Sequence, residues 1–326
     1  MSRRHLMLLL VAVGAVIGAI VLASFGTREP SHAGRRLSYW LAAGVSGNQQ
    51  PAEEAIRHIG AKALPSLLQD LRADDSTWRE RIGAFLRKQP KLAWLRSQFL
   101  TPEDRRRQAY FGFNALGPLA KPAVPELIHQ LRAPKARDRQ SAASVLGLIA
   151  LEAKEAVYPL ITALKDENPA VQQTAVYALS SLGPGGKPAV PALLAMLRSE
   201  EDITWIKKLT QPAAATSAPG GYALHPIIYA LGKIGPEAKE AVPELIEVLK
   251  AGEPFAQATA ARSLAKIAPK SREAVLALQD AAVSQDGTVS SAATAALKEI
   301  ASDPATRERL RFGGKVFETL KPKHSK

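Results

Sequence analysis

Few residues in this sequence have the types and spacing that enzyme chemistry requires. There is no cysteine, which excludes disulfides, a thiol nucleophile and cysteine-ligated zinc. None of the six histidines is followed by Glu, and no G-x-S-x-G elbow or paired-carboxylate pattern stands out. The segment GPGGKP at 183–188 looks like a phosphate-binding loop, but no Ser or Thr follows Lys187 and a helical pattern, not a strand, precedes it. We therefore expect an interhelical turn there, and predict no catalytic residue, metal site or cofactor.

One pattern does recur among the charged residues. A basic residue stands four residues before a repeated proline, or in the equivalent position, in five copies of one phrase: Lys121, Lys154, Lys187, Lys239 and Arg272. We expect these residues at the start of a helix, where a cation opposes the helix dipole. If the copies stack, they form a basic ridge that would meet an acidic partner. The alternative is a solvated turn residue that was copied with the repeat and is partly neutralised by neighbouring glutamates.

The cations belong to a repeated phrase, and its period predicts the architecture that positions them. The phrase is written at 121–132, 153–165, 186–198 and 235–250, and in a fifth copy Leu276 takes the place of the proline. Pro125 and Pro159 are 34 residues apart, Pro159 and Pro191 are 32 apart, and Pro191 and Pro243 are 52 apart. The long interval indicates an insertion loop, which we place at about 200–221 from its Pro/Ala/Thr/Ser/Gly content. A period of this size is typical of a solenoid of helix pairs.

Each unit contains two apolar stripes with helical spacing, joined by a short turn that often contains glycine. The stripe of the first helix includes Ala175, Ala178, Leu179 and Leu182 in one unit, and Ala260, Ser263, Leu264 and Ile267 in another. The stripe of the second helix includes Val242, Leu245, Ile246 and Leu249. The turn glycines are Gly60, Gly117, Gly183 and Gly235. The predicted fold class is all-α, an α-solenoid of stacked antiparallel helix pairs.

The phrase D-x-N-P-A-V, at 166–171, continues as A-x-x-A-L-x-x-L-G and A-V-P-x-L, and together these resemble the HEAT repeat. The match is closest to the shorter, phycobilisome-lyase-like form found in bacterial proteins, and it covers about 51–302. The resemblance implies an armadillo-type superhelix that binds other macromolecules. HEAT-like di-iron hydroxylases use His-Glu pairs, which this chain lacks. Nothing in the sequence specifies a bilin site.

An uncharged stretch of twenty residues, LMLLLVAVGAVIGAIVLASF, occupies 6–25. Twenty helical residues span about 30 Å, the thickness of one hydrocarbon core. We expect 1–27 to be a transmembrane signal anchor, or alternatively a cleaved signal peptide. Arg3 and Arg4 precede the stretch, so the positive-inside rule puts the solenoid outside the cytoplasm. The predicted location is extracytoplasmic and membrane-anchored, or secreted if the signal is cleaved.

The other predicted segments are a linker with an N-terminal capping helix at 28–50, the solenoid at 51–302 and a basic tail at 303–326. The formal net charge is +13, and much of it lies in the two ends. Residues 1–36 hold five Arg and one Glu, and 303–326 hold seven Lys or Arg against three Asp or Glu. A uniformly basic nucleic-acid surface would be distributed differently.

The predicted function is a non-catalytic protein–protein interaction scaffold at the cell envelope. The partner would lie on a concave face lined by the second helices, where we expect exposed contacts from Glu126, Gln130, Glu244 and Glu247. Two alternatives remain open: a solenoid that grips nucleic acid with the basic ridge, and a lyase-like accessory subunit of an enzyme. The charge distribution argues against nucleic acid, and we expect no small-molecule substrate.

Overall fold

A computed structural model of the chain describes residues 29–73, 100–150, 153–198 and 225–302. The described residues are mainly helical, and β1 (Ser31–His32) pairs antiparallel with β2 (Arg35–Arg36) in a short hairpin. The predicted all-α fold class is confirmed. The expected membrane segment (6–25), insertion loop (200–221) and basic tail (303–326) lie outside the described residues. Within the described ranges, no helix is long and apolar enough to cross a membrane.

The chain divides into two compact units, of which the first ends at Ala123. The described helices of this unit are α1 (Leu37–Val45), α2 (Gln49–Ile59), α3 (Leu64–Leu71) and α4 (Pro102–Leu116). Helix α1 packs on α2 and α4, and α3 packs on α4. The short helix that we expected around Trp40 is α1, and its Leu37 and Leu41 are buried. It covers apolar surface that the first helix pair would otherwise expose.

The second unit begins at Val124 and consists of stacked helix pairs. Its described helices are α5 (Val124–Gln130), α6 (Ala136–Leu148), α7 (Val157–Ala163), α8 (Pro169–Ser181), α9 (Val190–Arg198), α10 (Pro226–Ile234), α11 (Val242–Ala251), α12 (Pro254–Ile267), α13 (Arg272–Ala282) and α14 (Gly287–Ser302). The first helices of successive pairs stack in the order α6, α8, α10, α12 and α14. Each second helix packs on the first helix that follows it, as α5 does on α6 and α7 on α8.

The predicted stripes form the core of these pairs. Leu179 of α8, Leu264 of α12 and Leu245 of α11 are fully buried. The remaining stripe residues predicted in these three helices are all at most 9% exposed. A lone pair cannot bury such stripes, so neighbouring pairs stabilise one another through the stack.

The structural register of the repeat differs by one residue from the alignment on prolines. The equivalent position is a buried valine, which is the first residue of four second helices and the fourth residue of α13. The series is Val124, Val157, Val190, Val242 and Val275. Successive intervals are 33, 33, 52 and 33 residues, so the insertion adds 19 residues. Pro159 therefore lies one position late, and Tyr158 occupies the repeat position. The alignment on prolines was wrong at this unit because proline is tolerated at any position of a first helical turn, so its place can differ between repeats.

Each of the predicted turn glycines begins a 3₁₀ turn between the helices of a pair. Their φ angles are +63° at Gly60, +51° at Gly117, +53° at Gly183 and +73° at Gly235. A Cβ disfavours this backbone region, which explains the residue type. The GPGGKP segment is part of the turn Gly183–Ala189, so its interpretation as an interhelical turn is confirmed.

Small residues let the first helices approach closely. A Cβ added to Gly147 of α6 would lie 3.0 Å from the Cα atom of Ala178 in α8. Two pairs further on, a Cβ on Gly232 of α10 would clash with the side chain of Ser263 in α12. At this repeated position the neighbouring first helix leaves no room for a larger side chain.

A polar position that sequence reasoning missed ties successive pairs together. The same position in α4, α6, α8 and α12 carries Arg or Gln, and each side chain donates a hydrogen bond to a backbone carbonyl near the end of the preceding second helix. The bonds are Arg106 to Ala73 (2.8 Å), Arg139 to Ala133 (3.0 Å), Gln172 to Asp166 (2.8 Å) and Gln257 to Leu249 (2.9 Å). They satisfy carbonyls that the helix ends leave without intrahelical donors.

Candidate partner-binding surface

The five cations of the predicted basic ridge are all exposed. Lys121, Lys154, Lys187 and Lys239 lie in 3₁₀ turns that precede a second helix, and Arg272 is the first residue of α13. Four of the five therefore lie before the helix and not within its first turn, contrary to our expectation. The dipole penalty expected at those four positions is correspondingly smaller, since it falls off within a turn.

In the second unit, one cation of the ridge is paired across the stack. The Nζ atom of Lys187 lies 2.6 Å from a carboxylate oxygen of Glu237 in the next turn. The hydrogen bond and the charge of Glu237 raise the pKa of Lys187, and the same contact lowers the pKa of Glu237. The ridge is therefore interrupted by a carboxylate that the alignment of single repeats placed among the neighbours of Lys239.

We define the turn edge as the surface of the second unit formed by the turns Lys154–Ala156, Gly183–Ala189 and Gly235–Ala241, residues 268–273, and the last turns of α10 and α12. Three of its cations, Lys233, Lys266 and Lys270, were not predicted from the sequence as part of a basic surface. The edge carries seven cations, namely Lys154, Lys187, Lys233, Lys239, Lys266, Lys270 and Arg272. It carries four carboxylates, namely Glu155, Glu237, Glu240 and Glu273. The edge is therefore positive overall, most strongly along α10 to α13.

An apolar strip runs beside these cations. It consists of the residue after each repeat valine, and all its members are exposed: Pro125, Tyr158, Pro191, Pro243 and Leu276. Tyr158 is 71% exposed and Leu276 is 47% exposed. In the corrected register, each member of the apolar strip follows a cation of the predicted ridge by four residues. Exposed apolar side chains that recur at one repeat position are candidate anchors for a partner.

The four contacts predicted on the second helices have different environments. Gln130 is only 3% exposed, so our expectation that it is exposed was wrong. Its amide lies 3.4 Å from the carbonyl of Asp138, on the face of α5 that packs on α6. Glu126 is half-buried. Gln130 is therefore withdrawn as a contact residue.

The other two predicted contacts are on α11. Glu244 is half-buried and forms an ion pair with Arg198 of α9, which links two neighbouring second helices across the insertion. Glu247 is exposed and pairs with Lys250 one turn away, at 3.1 Å. Of the four predicted contact residues, only Glu247 is exposed. Glu244 joins two neighbouring repeats through its ion pair.

The histidines do not form a metal centre within the described part of the chain, where no group of three or more His, Asp or Glu side chains converges. His58 stacks on His32 with ring centroids 4.7 Å apart, and His129 is exposed. His225 precedes α10 and is 8% exposed. Burial lowers its pKa to about 4, and its Nδ1 atom has no hydrogen-bond partner.

Known proteins were compared with the chain as a whole. Two crystal structures of engineered proteins are 21% and 22% identical to it, with TM-scores of 0.39 and 0.43. The alignments cover 82% and 88% of this chain, and 96% and 74% of those proteins. The CpcE–CpcF complex of phycocyanin lyase from Nostoc sp. PCC7120 is 17% identical with a TM-score of 0.39, over 90% of this chain and 98% of that one. The comparison with curated proteins gave no match.

The sequence was also compared with models of protein families. The model of HEAT repeats matches residues 124–209 and 213–298. These two ranges cover the helix pairs of the second unit and together exceed half of the chain. The chain belongs to the HEAT-repeat family.

Proposed function

We propose that this protein is a non-catalytic scaffold at the cell envelope, which holds a protein partner on the exposed surface of its HEAT repeats. The single observation that carries the proposal is the apolar strip, because the same exposed position is apolar in five successive pairs. The core does not use these side chains. Affinity at protein interfaces comes from a few apolar anchors within a polar rim, and the cations beside the apolar strip supply such a rim.

The envelope location rests on the sequence of residues 6–25. This uncharged stretch is long enough to span a bilayer, and Arg3 and Arg4 precede it. The proposed arrangement keeps the solenoid outside the cytoplasm, either anchored or released by signal cleavage. A compartment-sensitive reporter fused after Lys326 tests the orientation, and the mass of the mature N-terminus distinguishes anchor from signal peptide. Activity of the reporter in the cytoplasm contradicts the proposed location.

Site-specific photo-crosslinking in the native cells tests the scaffold function. A photoreactive phenylalanine analogue replaces Tyr158 in the apolar strip, and in a matched strain it replaces Tyr177 on the first helix α8. Both tyrosines are exposed, at 71% and 42%, so the two probes differ mainly in the surface they report. We expect protease-sensitive adducts of discrete mass from position 158 and few from position 177.

Two other outcomes of the crosslinking would overturn the proposal. Adducts that a nuclease removes would assign the surface to nucleic acid. Equal labelling at both positions, or none at position 158, would show that the apolar strip holds no protein partner. A turnover assay on the purified chain addresses catalysis separately, since a lyase-like accessory role would require a product that depends on this chain.

A further inference from the structure

We propose that the turn edge and the apolar strip of the second unit together recognise an extended, acidic segment of the partner protein. The cations bind the carboxylates of the segment, and the apolar strip receives its apolar side chains. This inference rests on the proposed scaffold function and names the chemistry of the partner. It uses Tyr158, Pro191, Pro243 and Leu276 as contact points.

Charge complementarity selects an acidic partner. Between α10 and α13 the turn edge carries Lys233, Lys239, Lys266, Lys270 and Arg272 against three carboxylates. One of those carboxylates, Glu237, is already held by Lys187. The exposed cations therefore outnumber the carboxylates left to neutralise them. A segment with aspartate or glutamate gains attraction here, and a basic segment is repelled.

The spacing of the apolar strip selects an extended conformation. Two ion pairs, Lys187–Glu237 and Arg198–Glu244, show that the pairs on either side of the insertion are stacked neighbours. Stacked helices lie about 8–10 Å apart, so the contact points recur at about that distance. Three residues of polyproline II helix advance about 9 Å and place every third side chain on one face. The matching segment therefore has an apolar residue at every third position.

A helical segment fits the same surface less well. A helix rises about 1.5 Å per residue. Side chains that reach successive contact points from one face of a helix are therefore roughly seven residues, or two turns, apart. An extended chain presents one residue in three to the apolar strip and leaves the residues between them for the cations. The apolar strip has no counterpart in a polyphosphate backbone, which favours a protein over nucleic acid.

The test is a titration of the full-length chain in detergent micelles with a labelled synthetic peptide. The probe has about twelve residues that repeat Leu-Glu-Pro, long enough in polyproline II form to reach four contact points. A Leu-Lys-Pro peptide of equal length serves as the opposite charge, and empty micelles give the background. We expect saturable binding of the acidic peptide, weakened by salt, and at least about tenfold weaker binding of the basic one.

Two variants and their matched controls assign the binding to the surface. Lys239→Glu with Arg272→Glu reverses two of the cations, and Tyr158→Ser with Leu276→Ser removes two of the apolar contacts without adding charge. Lys165→Glu with Arg132→Glu is the control for charge reversal, because both residues are exposed and follow the second helices α7 and α5, at the ends opposite the turn edge. We expect each test variant to bind at least about tenfold more weakly and the control to stay within about twofold of the wild type. Thermal melting checks that all are folded.

The proposal is overturned if the acidic peptide does not bind, if the test variants bind it as the wild type does, or if the basic peptide binds equally well. Tighter, salt-sensitive binding of single-stranded DNA of similar length would assign the edge to nucleic acid. Failure here leaves the scaffold function standing if protease-sensitive crosslinks still form at position 158. Absence of both results removes the two proposals together.

Discussion

Arg139 forms a double salt bridge with Asp166, which lies three residues after the end of α7. Its Nε atom donates at 2.7 Å and its Nη2 atom at 2.8 Å to the two carboxylate oxygens. Its Nη1 atom donates to the carbonyls of Ala133 and Pro134, so one guanidinium joins the loops at both ends of a repeat. Burial opposes ionisation of Asp166, but hydrogen bonds from Arg139 and the backbone of Asn168 lower its pKa overall.

Replacing Arg139 should destabilise the second unit more than the loss of a surface charge would. Arg139→Met removes the salt bridge and leaves Asp166 partly buried without its partner, which typically costs about 3 kcal/mol. We expect a lower urea midpoint for loss of helical circular dichroism. Lys165→Met, at an exposed lysine, is the control and should change little. Equal midpoints for the two variants would show that the bridge is not a stabilising contact.

His225 should make the protein less stable as the pH falls below neutrality. Its folded pKa of about 4 lies below the ordinary value of 6.5, so its stabilising effect is complete above pH 6.5 and is lost as the pH falls towards 4. The expected loss between pH 7.5 and pH 5 is about 2 kcal/mol. The measurement is the urea midpoint at both values for the wild type and for His225→Leu.

Because the leucine variant cannot take up this proton, its free energy of unfolding should fall less than that of the wild type between pH 7.5 and pH 5. Parallel losses in both proteins would mean that His225 titrates normally, or that other groups cause the pH dependence.

A larger residue at Gly147 should separate α6 from α8. Gly147→Val places methyl groups against the backbone at Ala178, and overpacking of this kind costs about 1–3 kcal/mol. Gly287→Val is the matched control, since a Cβ there meets nothing within 4 Å. We expect a lower midpoint for the first variant only. The close packing is unimportant for stability if both variants unfold together.

Removing the carboxylate of Glu237 should strengthen binding of the acidic peptide. Glu237→Gln releases Lys187 from its ion pair and adds one net positive charge to the turn edge. We expect the Leu-Glu-Pro peptide to bind about twofold to fivefold more tightly, with a steeper dependence on salt. Glu253→Gln, at the exposed residue that precedes α12 on the opposite edge of the stack, serves as the control. Unchanged or weaker binding would count against the turn edge as the site of contact.

Much of this fold could be predicted because the structure of each repeat depends on interactions between residues that are close in sequence. The helical stripes, the glycine turns and the Asn168 cap, whose side chain accepts the N–H of Ala170 at 3.0 Å, all involve residues within about one turn of each other. The register was mistaken only where Pro159 and Tyr158 compete for the repeat position. The burial of the valines settled it, because a first-turn proline has more than one permitted place.

The candidate surface was predicted less completely for a physical reason. Sequence alone determined that this chain is a stack of helix pairs with a basic residue at one repeated position. Tertiary structure alone decided that Glu237 forms an ion pair with Lys187, that Gln130 is buried, and that Arg139 forms an ion pair with Asp166. The Lys187–Glu237 pair joins two repeats, and the Arg139–Asp166 pair joins the beginning and the end of one repeat, 27 residues apart. The burial of Gln130 depends on how α5 packs on α6. Such relationships exist only once neighbouring helices are packed, whereas helical periodicity is present in every repeat by itself.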